Sequence, residues 1–116
     1  YMYRGKFIPN TNTLVVKSTA GWLLFYDLDS LALIQKIRFS NIGSQDGNFA
    51  ITQDGKYLYN IESPNCSTRT QLTKYDLGTL KPLITSFHNS ETIFLKYVEI
   101  SKITRRSVKK TAFIIG

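Results

Sequence analysis

Residues 26–31 read Tyr26-Asp27-Leu28-Asp29-Ser30-Leu31, and residues 75–80 read Tyr75-Asp76-Leu77-Gly78-Thr79-Leu80. The two stretches stand 49 positions apart, and each leads into a short apolar run. Self-similarity at a fixed period of this size marks an architecture built from repeated units, and missing it misreads the whole fold. Each stretch reads as a strand entering a tight turn, because Asp, Ser and Gly are the residues that turns select.

Working outward from the pair, helical spacing of apolar residues is absent, and short runs bounded by turn residues fill the chain instead. Ten such runs are expected as strands: 3–8, 13–18, 22–28, 32–39, 48–52, 56–62, 71–77, 81–87, 92–100 and 111–115. Asp54-Gly55 separates two of them, and Asp-Gly between apolar runs is a strong hairpin signal because Gly accepts the positive φ of such turns. The stretch 9–16 aligns as text with 52–59 at an offset of 43, against 49 for the Tyr-Asp-Leu pair. The six-residue difference is read as a longer surface loop around residues 64–70. The whole chain, 1–116, is thus one β-repeat array: repeat one at 1–40, repeat two at 47–87, and the first two strands of a third at 92–116.

Composition agrees with strands. Aromatic residues make up 13% of the chain, and ring-bearing side chains suit a pleated, half-buried surface. The 42% hydrophobic and 20% charged fractions are those of a globular chain rather than a disordered one. No apolar run approaches the ~18 residues of a membrane span, and the opening Tyr1-Met2-Tyr3-Arg4 reads as the start of a strand, so no signal peptide is expected. A cytoplasmic setting is the expectation, supported by a single cysteine, Cys66, which has no partner for an internal disulfide. The opening Tyr1-Met2 and the ending at Gly116 read as an excerpt of something longer.

The chemical inventory is thin, and neither a catalytic residue, a metal site nor a cofactor is expected. His88 is the only imidazole, so with Cys66 it falls short of the roughly four ligands that a structural zinc takes. Gly43, Gly47 and Gly55 read as turn positions rather than a phosphate loop. Asp27 and Asp76 are equivalent by repeat, which fits structural acceptors better than catalytic carboxylates that must converge on one bond. Asp54 belongs to its hairpin turn.

Three matches carry a resemblance to β-propeller repeats of the WD-repeat and YVTN-like kind. Residues 52–59, Thr-Gln-Asp-Gly-Lys-Tyr-Leu-Tyr, look like the inner hairpin of a blade. Tyr26-Asp27-Leu28 and Tyr75-Asp76-Leu77 resemble the end of a blade's third strand, where Trp-Asp is the better-known form. Residues 29–31 and 78–80 look like the turn into the fourth strand. The chain departs from the pattern in lacking a Gly-His dipeptide, and in carrying a basic segment at 101–110 where the third unit would have Asp-Gly. The resemblance implies an all-β fold of four-stranded antiparallel, blade-like repeats of β-propeller type, incomplete at about two and a half blades. The remaining blades would come from a longer chain or from self-association. It implies that the row Trp22, Leu24, Tyr26, Leu28 and the matching row Thr73, Tyr75, Leu77 pack between neighbouring blades.

Charge is uneven. Of a net +7, five positive charges stand within nine positions, on Lys102, Arg105, Arg106, Lys109 and Lys110, with no acid among them. The expected role is a non-catalytic scaffold that binds another protein through the loops 40–47 and 63–70 and the basic turn 101–110. The first alternative is polyanion or nucleic-acid binding through that basic turn; the second is a fragment of a propeller enzyme whose site lies in other blades.

Overall fold

The computed structural model describes residues 3–65 and 70–87. The last two expected strands, the basic turn 101–110, His88 and Cys66 lie outside the described residues. The other eight strands form, as β1 (Tyr3–Phe7), β2 (Thr13–Ser18), β3 (Trp22–Asp27), β4 (Leu33–Arg38), β5 (Phe49–Ile51), β6 (Tyr57–Glu62), β7 (Gln71–Asp76) and β8 (Lys81–Phe87). They make two four-stranded antiparallel sheets, each in sequential order: β1-β2-β3-β4 and β5-β6-β7-β8. Every connection within a sheet is a hairpin, so each sheet is a meander that follows directly from turn chemistry and alternation.

The hairpin turns repeat in detail. Asp27 and Asp76 end the third strand of each sheet, and Leu31 and Leu80 adopt positive φ of 58° and 61° in the turns that follow. A register shift in the strand pairing falls between Phe25 and Tyr26 in the first sheet, and at the equivalent Lys74 and Tyr75 in the second. The offset of 49 therefore holds for the backbone as well as the letters. The first hairpin differs from the text alignment by one residue. β2 and β6 correspond at an offset of 44, with Ile8 N donating to Thr13 O and Thr52 N to Tyr57 O. The turns explain the discrepancy. Pro9-Asn10 follows the type II pattern, with φ 63° at Asn10, whereas the second turn places its left-handed residue one step later, at Gly55 with φ 74°. Aligning the letters across two different turns shifts the register by one. The extra length of the second repeat is five residues, all of it in the β6–β7 connection.

That single step matters, because a one-residue slip exchanges the faces of a strand. With the structural offsets, each sheet has a front and a back. The front of the second sheet carries Leu58, Asn60, Glu62, Gln71, Thr73 and Tyr75, which face one another across β6 and β7. The back of the first carries Val15, Lys17, Leu23 and Phe25. These two surfaces meet: Ile8, Val15, Leu23, Phe25 and Phe39 form one buried cluster with Phe49, Ile51, Leu58 and Tyr75. At the turn end the sheets approach closely, since a Cβ on Gly55 would stand 2.9 Å from Pro9 O.

The rows expected between blades thus divide. Thr73 and Tyr75 do face the neighbouring sheet. Trp22, Leu24 and Tyr26 do not; they lie half-buried on the front of the first sheet, and Leu23 and Phe25 are the buried pair. The segment Trp-Leu-Leu-Phe-Tyr is apolar on both faces, so alternation alone does not select the inner one.

Candidate functional site

The repeated carboxylates serve their own turns. Asp27 Oδ2 accepts from Ser30 Oγ at 2.7 Å and Ser30 N at 3.2 Å, and the Ser30 hydroxyl, followed by its N–H, holds the Asp27 carboxyl below its ordinary value. Asp76 Oδ1 accepts from Gly78 N at 2.7 Å and Thr79 N at 3.0 Å. Asp54 Oδ1 accepts from Thr52 Oγ1 at 2.6 Å and Lys56 N at 3.0 Å, bonds that likewise lower its pKa, with the hydroxyl the larger cause. A carboxylate accepting from its own backbone two and three residues on is a turn brace. Tyr26, Leu28, Tyr75 and Leu77 flank these braces, and Tyr75 and Leu77 also pack into the core.

The densest chemistry is a polar cluster between the sheets that sequence reading did not single out. Glu62, 4% exposed, accepts four hydrogen bonds. Gln71 Nε2 (2.8 Å) and Thr73 Oγ1 (2.7 Å) reach its Oε1, and Asn60 Nδ2 (2.8 Å) and Tyr75 Oη (2.9 Å) reach its Oε2. Burial, then the nearby Glu62 charge, push the Tyr75 phenol pKa up. From the first sheet, the fully buried Lys17 extends its ammonium to Ile61 O at 2.6 Å and Asn48 O at 3.0 Å, and sits 5.0 Å from the Phe39 ring centroid. Desolvation lowers the Lys17 pKa to about 7, against the opposing pull of Asp46 and Glu62. A buried charge persists only when paired and hydrogen-bonded; here the Lys17 ammonium crosses to the carbonyls of Ile61 and Asn48, while the Glu62 carboxylate is held by four donors of its own sheet. The visible signal is a lone charge at the end of each strand-like run, Lys17 after Leu14-Val15-Val16 and Glu62 after Leu58-Tyr59-Asn60-Ile61.

The connection from β4 to β5 is tied into the same end. Ser40 and Gln45 are buried; Ser40 Oγ donates to Ser63 O at 2.7 Å, and Gln45 exchanges bonds with Ser63 O (2.9 Å) and Ser63 N (2.8 Å). Gly21 closes against it, with φ 104° and Ser40 O standing where a Cβ would be. The loop 40–47 is therefore part framework and part surface, with Asn41, Gly43 and Ser44 exposed.

On the outer side, the front of the first sheet forms an open groove of about 580 Å³ lined by Ser18, Trp22, Leu24, Lys36, Arg38 and Ile42, among others. The Trp22 ring lies 4.8 Å from the Arg38 guanidinium and 5.3 Å from the Lys36 ammonium. Among the described residues, no cluster of His, Cys, Asp and Glu has the composition of a metal site, and no helix is long and apolar enough to cross a membrane. Compared with protein-family models, curated proteins and solved structures, the chain matches none.

Proposed function

We propose that the chain is a non-catalytic scaffold in which the two sheets are successive blades of a propeller-type array, and that it binds another protein. One observation carries the reading. The second sheet docks with its front on the back of the first, the faces that repeat equivalence makes opposite. A sandwich related by a twofold axis would join like faces. Front-to-back contact is heterologous, and repeating it builds rings or open arrays, of which closed propellers of about four to eight blades are one outcome. Two further facts fit a scaffold. The carboxylates repeated in sequence are engaged by their own turns, and the Lys17–Glu62 cluster is enclosed. A rigid meander of this kind holds loops and faces in fixed positions, which suits binding.

Native affinity capture with the full chain tests the role. A defined protein partner retained by wild type, lost on substitution in the groove or exposed loop (Lys36→Ser, Asn41→Lys), and kept by the turn variant Leu31→Gly supports it. Equal retention by all three variants contradicts it. A second reading, polyanion binding through Lys102, Arg105, Arg106, Lys109 and Lys110, rests on the local charge concentration. It requires binding to a generic DNA duplex that falls steeply with salt and loses that slope when Arg105, Arg106, Lys109 and Lys110 become Ser.

A further inference from the structure

The front of the first sheet is the repeat counterpart of the surface the second sheet uses for docking. Leu14, Val16, Ser18, Trp22, Leu24 and Tyr26 occupy the positions of Leu58, Asn60, Glu62, Gln71, Thr73 and Tyr75. In the second sheet these positions are largely buried; in the first the apolar ones are half-open.

Its charge differs from that of the docked surface. Where the second sheet offers Glu62, the first has Ser18, and across β3 and β4 it sets Arg38 beside Trp22 and Lys36 beside Leu24. None of the described residues lining the groove is acidic. An apolar partner laid over this surface would strip water from two cations and give nothing back, which is unfavourable unless a counter-charge arrives with it. In the contact already formed between the sheets the buried cation, Lys17, is met by the carbonyl oxygens of Ile61 and Asn48, with the negative charges of Asp46 and Glu62 near enough to act on it.

A second copy of the chain is a poor occupant. The surface it would offer, the back of the second sheet, carries Ile61, Leu72 and Tyr59 together with Lys74, whose ammonium lies 4.0 Å from the Tyr57 ring, and Asp76. Asp76 is committed to its own turn through Gly78 N and Thr79 N, so the lysine adds a further cation and the one acid of this row is already engaged.

We propose that the groove around Trp22, Lys36 and Arg38 is the docking site for a partner protein that presents a β-strand with an acidic side chain in its apolar row. This rests on the scaffold reading and names the partner's chemistry.

Trp22 is the sole tryptophan, so its emission reports the groove directly. The full chain is titrated with two synthetic twelve-residue peptides of alternating apolar and Ser residues, identical except for a central Glu or Lys in the apolar row. The Glu peptide is expected to shift Trp22 emission saturably. Replacing Lys36 and Arg38 together by Ser is expected to weaken its affinity about tenfold, with Lys36→Arg retaining it. Both cations are exposed, and because Arg38 Nε also donates to Ser40 O at 2.9 Å, the urea midpoint of the double variant is compared with wild type, with Lys36→Ser alone as the variant that leaves that bond in place. Equal responses to both peptides, no saturation by about 1 mM, or no effect of the double substitution overturns the proposal. A concentration-dependent shift of the protein alone, blocking the peptide response, overturns it in favour of a second copy. Failure of the underlying stacking is seen separately: Trp22 would then be shielded from acrylamide before any peptide is added.

Discussion

Lys17 Nζ donates a 2.6 Å hydrogen bond to the carbonyl oxygen of Ile61, the residue that holds the Lys17 position in the second sheet. The contact runs between equivalent positions of consecutive repeats, while the Ile61 side chain lies on the far face of its own sheet with Leu72 and Tyr59, as front-to-back docking requires. It also makes the lysine a strut between sheets, buried because the sheets meet and protonatable at a chemically awkward place.

Burial lowers the Lys17 pKa to about 7 from 10.5, which gives stability a definite pH dependence. Below about pH 7 the lysine is charged whether folded or unfolded, and the folded state bears the full desolvation penalty. Between that value and 10.5 the unfolded chain holds a proton that the folded chain has shed, so stability rises with pH. The rise is at most about 1.4 kcal/mol per pH unit. Urea midpoints of wild type and Lys17→Met, compared from about pH 6 to about pH 9, should diverge in favour of wild type as pH increases. A constant difference contradicts the burial of Lys17.

Glu62 satisfies four donors with two oxygens. An amide in its place turns an NH2 group toward two of those donors, and the Gln71 and Asn60 side-chain amides have no way to accept in return without flipping. Glu62→Gln should destabilise by about 2–4 kcal/mol, the range for leaving buried polar groups unsatisfied. Equilibrium urea unfolding measures it, and a change within 0.5 kcal/mol, the usual size for a surface substitution, would mean that the cluster is solvated.

Leu31 and Leu80 share a left-handed backbone but differ in burial. Leu31 is 77% exposed, so Leu31→Gly relieves strain and loses little contact. Thermal melting should show it neutral or more stable by up to about 1 kcal/mol. Leu80 packs against the core, and Leu80→Gly should lose about 1–2 kcal/mol despite the same relief. Identical effects would show that the two turns are not distinguished by packing.

Gly21 admits no side chain, because φ is 104° and Ser40 O occupies the Cβ direction. Gly21→Ala should cost more than about 2 kcal/mol, and Gly43→Ala, with nothing within 4 Å, should be near neutral. Denaturant unfolding of the pair separates a tied crossover from a free loop.

Much of this was legible in the letters. Tyr26-Asp27-Leu28 and Tyr75-Asp76-Leu77 located the third strand of each unit, and turn residues bounded all eight described strands to within a residue or two. Asp54-Gly55 marked its hairpin. Face assignment was not legible, because Leu23 and Phe25 alternate with Trp22, Leu24 and Tyr26, and both rows are apolar. The repeat offset was misjudged by one because Pro9-Asn10 and Asp54-Gly55 solve the same reversal with different turns. Lys17 and Glu62 escaped notice because a single charge at a strand end reads as a solvated residue until the neighbouring sheet is placed over it.

The second sheet rests its front on the back of the first, and nuclear Overhauser contacts in the folded chain read that arrangement. Cross-peaks linking the Val15 and Leu23 methyl groups with Phe49, Leu58 or Tyr75 are expected. Cross-peaks from Val16, Trp22 or Leu24 to those second-sheet residues, with Val15 and Leu23 silent, would contradict it.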